Sequence, residues 1–91
     1  MEIKVLEFTA KWCSTCHVIE AMLEKEVIPK YRDKIKFVKI DVEENEKTTS
    51  QYDILSVPTL IFLAGDKEIW RKSGSIGKDE VIKKLDMIIT L

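Results

Sequence analysis

Cysteine is scarce in this chain of 91 residues: there are two, Cys13 and Cys16, three positions apart. A pair so close cannot staple distant segments, which excludes a disulfide-framework secreted domain and leaves the two thiols a local purpose. Glycine (three) and proline (two) are nearly as sparse, which excludes linker-like, collagen-like and low-complexity chains. Charge of one sign is not in excess either. Fifteen Lys and Arg face sixteen Asp and Glu, for a formal net charge of -1, so there is no electrostatic footprint for nucleic acid or an anionic membrane. No apolar run approaches the roughly 18 residues of a spanning helix. The opening "MEIKVLEFTA" lacks a basic region followed by an apolar one, so no signal peptide is visible and the expected compartment is the cytoplasm. A single Asn (Asn45) and a single Gln (Gln51) against many Lys and Glu is the bias of heat-adapted proteomes.

What is present is the mix of an ordinary globular protein, 45% hydrophobic and 34% charged. The length suffices for one core and is too short for two, so one domain over residues 1–91 is expected. With balanced charge and no other sign of assembly, it is expected to be a monomer.

"IKVLEFT" (3–9) carries apolar residues on both parities, the pattern of a strand covered on both faces. From Cys13 onward, Val18, Ile19, Met22, Leu23 and Val27 form a helical stripe that Pro29 is expected to break or kink. "KFVKIDV" (36–42) reads as a second strand and the polar 43–53 segment as a short helix. Two more strands flank an Ala64-Gly65-Asp66-Lys67 turn as an antiparallel hairpin. Gly77 is a candidate N-cap for a last helix with Asp79 and Glu80 in its first turn and Val81, Ile82, Leu85, Ile88 and Ile89 on its core face. The order β-α-β-α-β-β-α implies an α/β fold: a four-stranded mixed sheet with helices on both faces.

"KWCSTCH" (11–17) contains a complete C-x-x-C-H, which fits a redox dithiol, a c-type haem attachment site or half of a zinc site. Haem would need an axial partner, and Met22 and Met87 lie on apolar stripes that read as core filler. A closed zinc site needs four ligands, and Cys13, Cys16 and His17 are one short. The dithiol fits its surroundings better. Cys13 falls where the first strand gives way to a helix, so its sulfur meets free backbone N–H groups and the positive end of the helix dipole, which favour a thiolate. Cys16, one turn on along the same face, can resolve a mixed disulfide formed on Cys13.

With "EFTAKWC", "FVKIDVEEN", "YDILSVPT" and a hairpin ending in "KSG" before a helix, nearly the whole chain resembles the thioredoxin family. The family's extra N-terminal strand and helix have no counterpart here, so a trimmed thioredoxin-like fold is expected. The resemblance implies a thiol-disulfide oxidoreductase with Cys13 as nucleophile and Cys16 as resolving thiol. It implies a cis Val57–Pro58 bond in a loop facing the dithiol, whose backbone at Val57 pairs with an extended substrate segment. Trp12, Thr59 and Gly74 complete the implied substrate surface. Glu7 matches a buried acidic position, where the family pattern has Asp, and is the candidate general base; Lys39 matches a nearby lysine, and a surface Glu7–Lys39 pair is the alternative. Ser14-Thr15 replaces the family's usual Gly-Pro, which alters the redox poise, and Ala21 stands where many members place a kinking proline. His17 is expected to face solvent, or, when protonated, to favour the thiolate.

The expected activity is reduction of protein disulfides, with no cofactor beyond the Cys13–Cys16 couple and an external reductant such as a flavin-dependent reductase or glutathione. The competing expectation is a redox-sensing or partner-binding domain of the same fold with little turnover.

Overall fold

A computed structural model describes residues 2–90. The first strand, β1 (Ile3–Thr9), lies inside the sheet because its residues from Val5 to Thr9 are buried on both faces. It pairs in parallel with β2 (Ile35–Asp41) and antiparallel with β3 (Thr59–Ala64), and β3 carries β4 (Lys67–Ser73) at the edge, giving the order β2-β1-β3-β4. This is the expected mixed α/β sheet. Gly65, at φ 61, supplies the left-handed turn between β3 and β4. Phe62 pairs with Trp70 but Leu63 pairs with Glu68, so Ile69 is the extra residue of a bulge.

Two apolar layers sandwich the sheet. On one side Val5, Leu60 and Phe62 pack with Ile19, Leu23 and Val27 of the first helical run and with Val81, Leu85 and Ile88 of the last helix, α4 (Lys78–Ile89). On the other, Leu6, Phe8, Ile40, Ile61 and Leu63 are covered by Tyr52 and Ile54, which follow the short helix α3 (Glu46–Gln51).

Three expectations need correction. Pro29 does not break the first helical run: α1 (Ser14–Met22) passes through a π-helical segment (Leu23–Val27) into α2 (Ile28–Tyr31), with Pro29 inside α2. A proline N lacks the hydrogen that would bond four residues back, and its ring crowds that carbonyl. The wider turn, in which the Ile28 N–H reaches the Leu23 carbonyl, accommodates both defects just ahead of the ring. Ile19, Leu23, Val27 and Tyr31 are all buried as a result. In an unbroken α-helix a stripe spaced by four drifts by about 40° per step, and the π turn counters that drift. Val18 lies off this stripe and is exposed. Met87 is also exposed, on the outer side of α4, whereas Met22 does pack on the core.

Candidate active site

Beyond β1 the chain turns so that the Cys13 N–H donates to the Ala10 carbonyl at 3.1 Å. Cys13 keeps an extended backbone (φ -90, ψ 102) and is the N-cap of α1. Its Sγ accepts the Cys16 N–H at 3.1 Å, and its carbonyl accepts the His17 N–H at 3.3 Å. The sulfur therefore occupies the place of a capping oxygen, against an otherwise unpaired amide at the positive helix end. Cys13 and Cys16 are joined in a disulfide, with Cα atoms 5.2 Å apart. Cys13 is 7% exposed and Cys16 0%, so an incoming group meets Cys13 first. Ser14 and Thr15 are exposed between them.

Facing the pair is the loop that enters β3. The Val57–Pro58 bond is cis, and Val57 packs with Val42 on the Ala10, Cys13 and Cys16 cluster. Thr59 is buried, its hydroxyl donating to the Ser56 carbonyl at 2.6 Å and lying 2.8 Å from the Ser73 hydroxyl. Gly74, at φ 81, donates its N–H to the Pro58 carbonyl at 3.0 Å. Thr59 and Gly74 thus tie the loop to the end of β4 and to the turn that follows it. Trp12, Val42, Ile54, Leu55 and Val57 border an open groove of about 180 Å³ beside the cysteines. Trp12 is 70% exposed and Leu55 97%, which makes Leu55 the barest large apolar side chain of the groove. Sequence reasoning passed over Leu55; the available signal was an apolar residue in the stretch that leads into the proline loop.

Glu7 lies inside the protein, 8% exposed, and its Oε2 has no hydrogen-bond partner among the described residues. Burial pushes its pKa from 4.5 up to about 7; the Glu20 and Glu24 charges add to the rise and Lys39 opposes it. It borders a cavity of about 130 Å³ with Leu23, Glu24, Ile28, Phe37 and Lys39. Lys39 is its register partner across β1 and β2, yet the Lys39 Nζ lies 3.8 Å from Glu20 Oε1. The surface Glu7–Lys39 pair is therefore not formed.

Glu20, one turn beyond Cys16, is the second residue that sequence reasoning missed. Its Oε1 accepts from the Thr9 hydroxyl at 2.9 Å, and its Oε2 lies 3.4 Å from His17 Nδ1. The opposite ring nitrogen, Nε2, donates to the Lys11 carbonyl at 2.8 Å. His17 is exposed, as expected, but tethered; the Lys11 carbonyl first and Glu20 second raise its pKa above the ordinary imidazole value. Among the described residues no group of three or more His, Cys, Asp or Glu is placed to hold a metal ion.

A family model, Thioredoxin, matches residues 1–87. The chain belongs to the thioredoxin family. The thioredoxin of Bacillus subtilis is 37% identical over 83 residues, spanning 91% of this chain and 78% of that protein. Thioredoxin 2 of Chlorobaculum tepidum is 33% identical over 85 residues, spanning 93% and 77%. Among solved structures, the germline-specific thioredoxin Deadhead of Drosophila melanogaster superposes with a TM-score of 0.86 at 28% identity, covering 96% of this chain and 81% of that one. With the cysteines bonded to each other, this thioredoxin-family member is a thiol-disulfide oxidoreductase. The partner-binding alternative with little turnover is not favoured. Thioredoxins work through the redox-active disulfide itself, act on disulfide substrates and are recharged by a reductase. Among the described residues no helix is long and apolar enough to cross a membrane.

Proposed function

We propose that this thioredoxin-family member reduces protein disulfides with Cys13 as the attacking thiolate, Cys16 as the resolving thiol and Glu7 as the general base. The Cys13 thiolate attacks one sulfur of the client disulfide, forming a Cys13–client bond and releasing the other client sulfur as thiolate. Glu7 then takes the Cys16 proton, directly or through a single bridging water. The Cys16 thiolate attacks the Cys13 sulfur and expels the second client thiolate. Two electrons pass to the client, and the Cys13–Cys16 disulfide is left for an external reductant to reopen. A flavin-dependent reductase or glutathione is the class of donor proposed, acting on a cytoplasmic monomer.

The observation that carries this assignment is the capping geometry, with the Cys13 sulfur on the Cys16 amide and Cys16 fully buried behind it. Trp12 and Val57 are assigned the contact with the client, whose extended backbone pairs along the Val57–Pro58 loop. Pro58, Thr59 and Gly74 hold that loop at its working height. Insulin reduction driven by dithiothreitol tests the assignment. The wild type is expected to bring on turbidity ahead of the blank, Cys13→Ser to match the blank, and Cys16→Ser to accumulate mixed disulfides on Cys13. Activity retained in Cys13→Ser refutes it.

A further inference from the structure

A lysine beside a buried carboxyl ordinarily pairs with it and strengthens the acid. Lys39 sits opposite Glu7 in the β1–β2 register, but its ammonium is drawn to Glu20 at 3.8 Å. The same carboxylate holds the Thr9 hydroxyl at 2.9 Å and faces His17 at 3.4 Å, and its side chain is largely buried. Among the described residues Glu7 is left with one oxygen that has no partner. Thr9 comes from the end of β1, Lys39 from β2 and His17 from α1, and His17 in turn grips the loop carbonyl of Lys11. One carboxylate therefore gathers every element around the dithiol except the proline loop.

We propose that Glu20 is a positioning residue for the proton-transfer step: by collecting Thr9, His17 and Lys39 onto its carboxylate it keeps the Lys39 ammonium off Glu7 and sets a negative charge beside it, so that Glu7 stays basic enough to accept the Cys16 proton. The inference rests on the assignment of Glu7 as the base. Both effects of Glu20 have the same sign, because a neighbouring anion and a withheld cation each disfavour the ionised form of Glu7. The other charged group facing Glu7 from the helical side is Glu24; from β2 it is Lys39, and β3 presents Leu60. His17, when protonated, offsets the Glu20 charge, so the influence on Glu7 is greatest once His17 is neutral.

The test is Glu20→Gln, whose amide oxygen can still accept from the Thr9 hydroxyl while its NH2 donates to the unprotonated Nδ1 of neutral His17, so that the contacts are kept and the charge is gone. The Glu7 carboxyl is followed by its carbon-13 chemical shift against pH in the oxidised protein. Its midpoint is expected to fall by about half a pH unit to one unit in the variant. The acid limb of the Cys16 resolution rate, measured in single turnover on a Cys13–peptide mixed disulfide, is expected to move down with it. In Glu20→Gln/Lys39→Met, compared with Lys39→Met alone, the fall is expected to be smaller, because no ammonium is freed to approach Glu7. An unchanged or raised midpoint in Glu20→Gln overturns the proposal, as does an equal fall with and without Lys39. The two assignments fail separately: if Glu7→Gln resolves at the wild-type rate with the wild-type pH dependence, Glu7 is not the base, whatever its midpoint does.

Discussion

Replacing Glu7 by Gln keeps the shape of a buried side chain and removes its ability to ionise, so the structure predicts a gain in stability that depends on pH. Folding raises the Glu7 pKa from 4.5 to about 7. An unfolded chain loses this proton first, so between the two values ionisation favours the unfolded state. At about 1.4 kcal/mol per pKa unit, the penalty carried by the wild type above the folded pKa is on the order of 3 kcal/mol. The sign follows directly: the protonated carboxyl leaves stability intact below about pH 4.5, and that stability drains away as pH rises through about 7. Glu7→Gln has no such loss. Urea denaturation of the oxidised protein is expected to give nearly equal stabilities near pH 4. The variant should pull ahead through neutrality and level off about 3 kcal/mol more stable in mild alkali, with a thermal midpoint on the order of 15 °C higher. The His17 contribution runs through the same range but is common to both proteins, so the difference between them reports Glu7. A difference that is flat with pH, or a variant less stable than wild type in mild alkali, refutes the claim that Glu7 is a dehydrated carboxyl.

Leu55→Ser is expected to raise KM for a protein disulfide by on the order of tenfold with kcat and thermal midpoint unchanged, since this side chain is 97% exposed and only a bound client can cover it. A wild-type KM removes Leu55 from the client surface. Gly74→Ala is expected to lose about 1 kcal/mol in urea denaturation, because φ 81 is strained for any residue with a Cβ while an added methyl group meets nothing within 4 Å. A loss several times larger indicates a steric clash, and no loss shows that the turn relaxes.

The fold was legible because its strongest signals are local. The two-faced strand at 3–9, the hairpin around Gly65 and the stripe of α4 each announce themselves within a dozen residues. The dithiol was legible for the same reason, since three-residue spacing at a strand-to-helix junction fixes both sulfurs. What escaped depends on contacts between segments. Pro29 reads locally as a break or a kink, and only the buried run of Ile19, Leu23, Val27 and Tyr31 shows that the helix continues past it. Val18 and Met87 look like core residues until the stripe that actually faces the sheet is known. Glu20 reads as a surface charge on a helix, because nothing in the linear order places Thr9 and Lys39 beside it.

The same packing that completes the fold also sets the chemistry at Glu7. Leu23 and Ile28, at the two ends of the π segment, border the cavity beside this carboxyl. Burial among these residues raises the Glu7 pKa, whereas a solvated Glu of ordinary acidity is a poor acceptor for a thiol proton. Glu7 is also one methylene longer than the Asp of the family pattern, and Lys39 stands opposite it in the β1–β2 register. An ion pair there would undo by charge what burial had achieved by dehydration. A second carboxylate that holds the lysine removes that danger without moving either strand. If Glu7 is the base, as proposed, its strength depends on two things at once, burial beneath the helical run and an ammonium held to one side, and the stability lost as pH rises through about 7 is the measure of both.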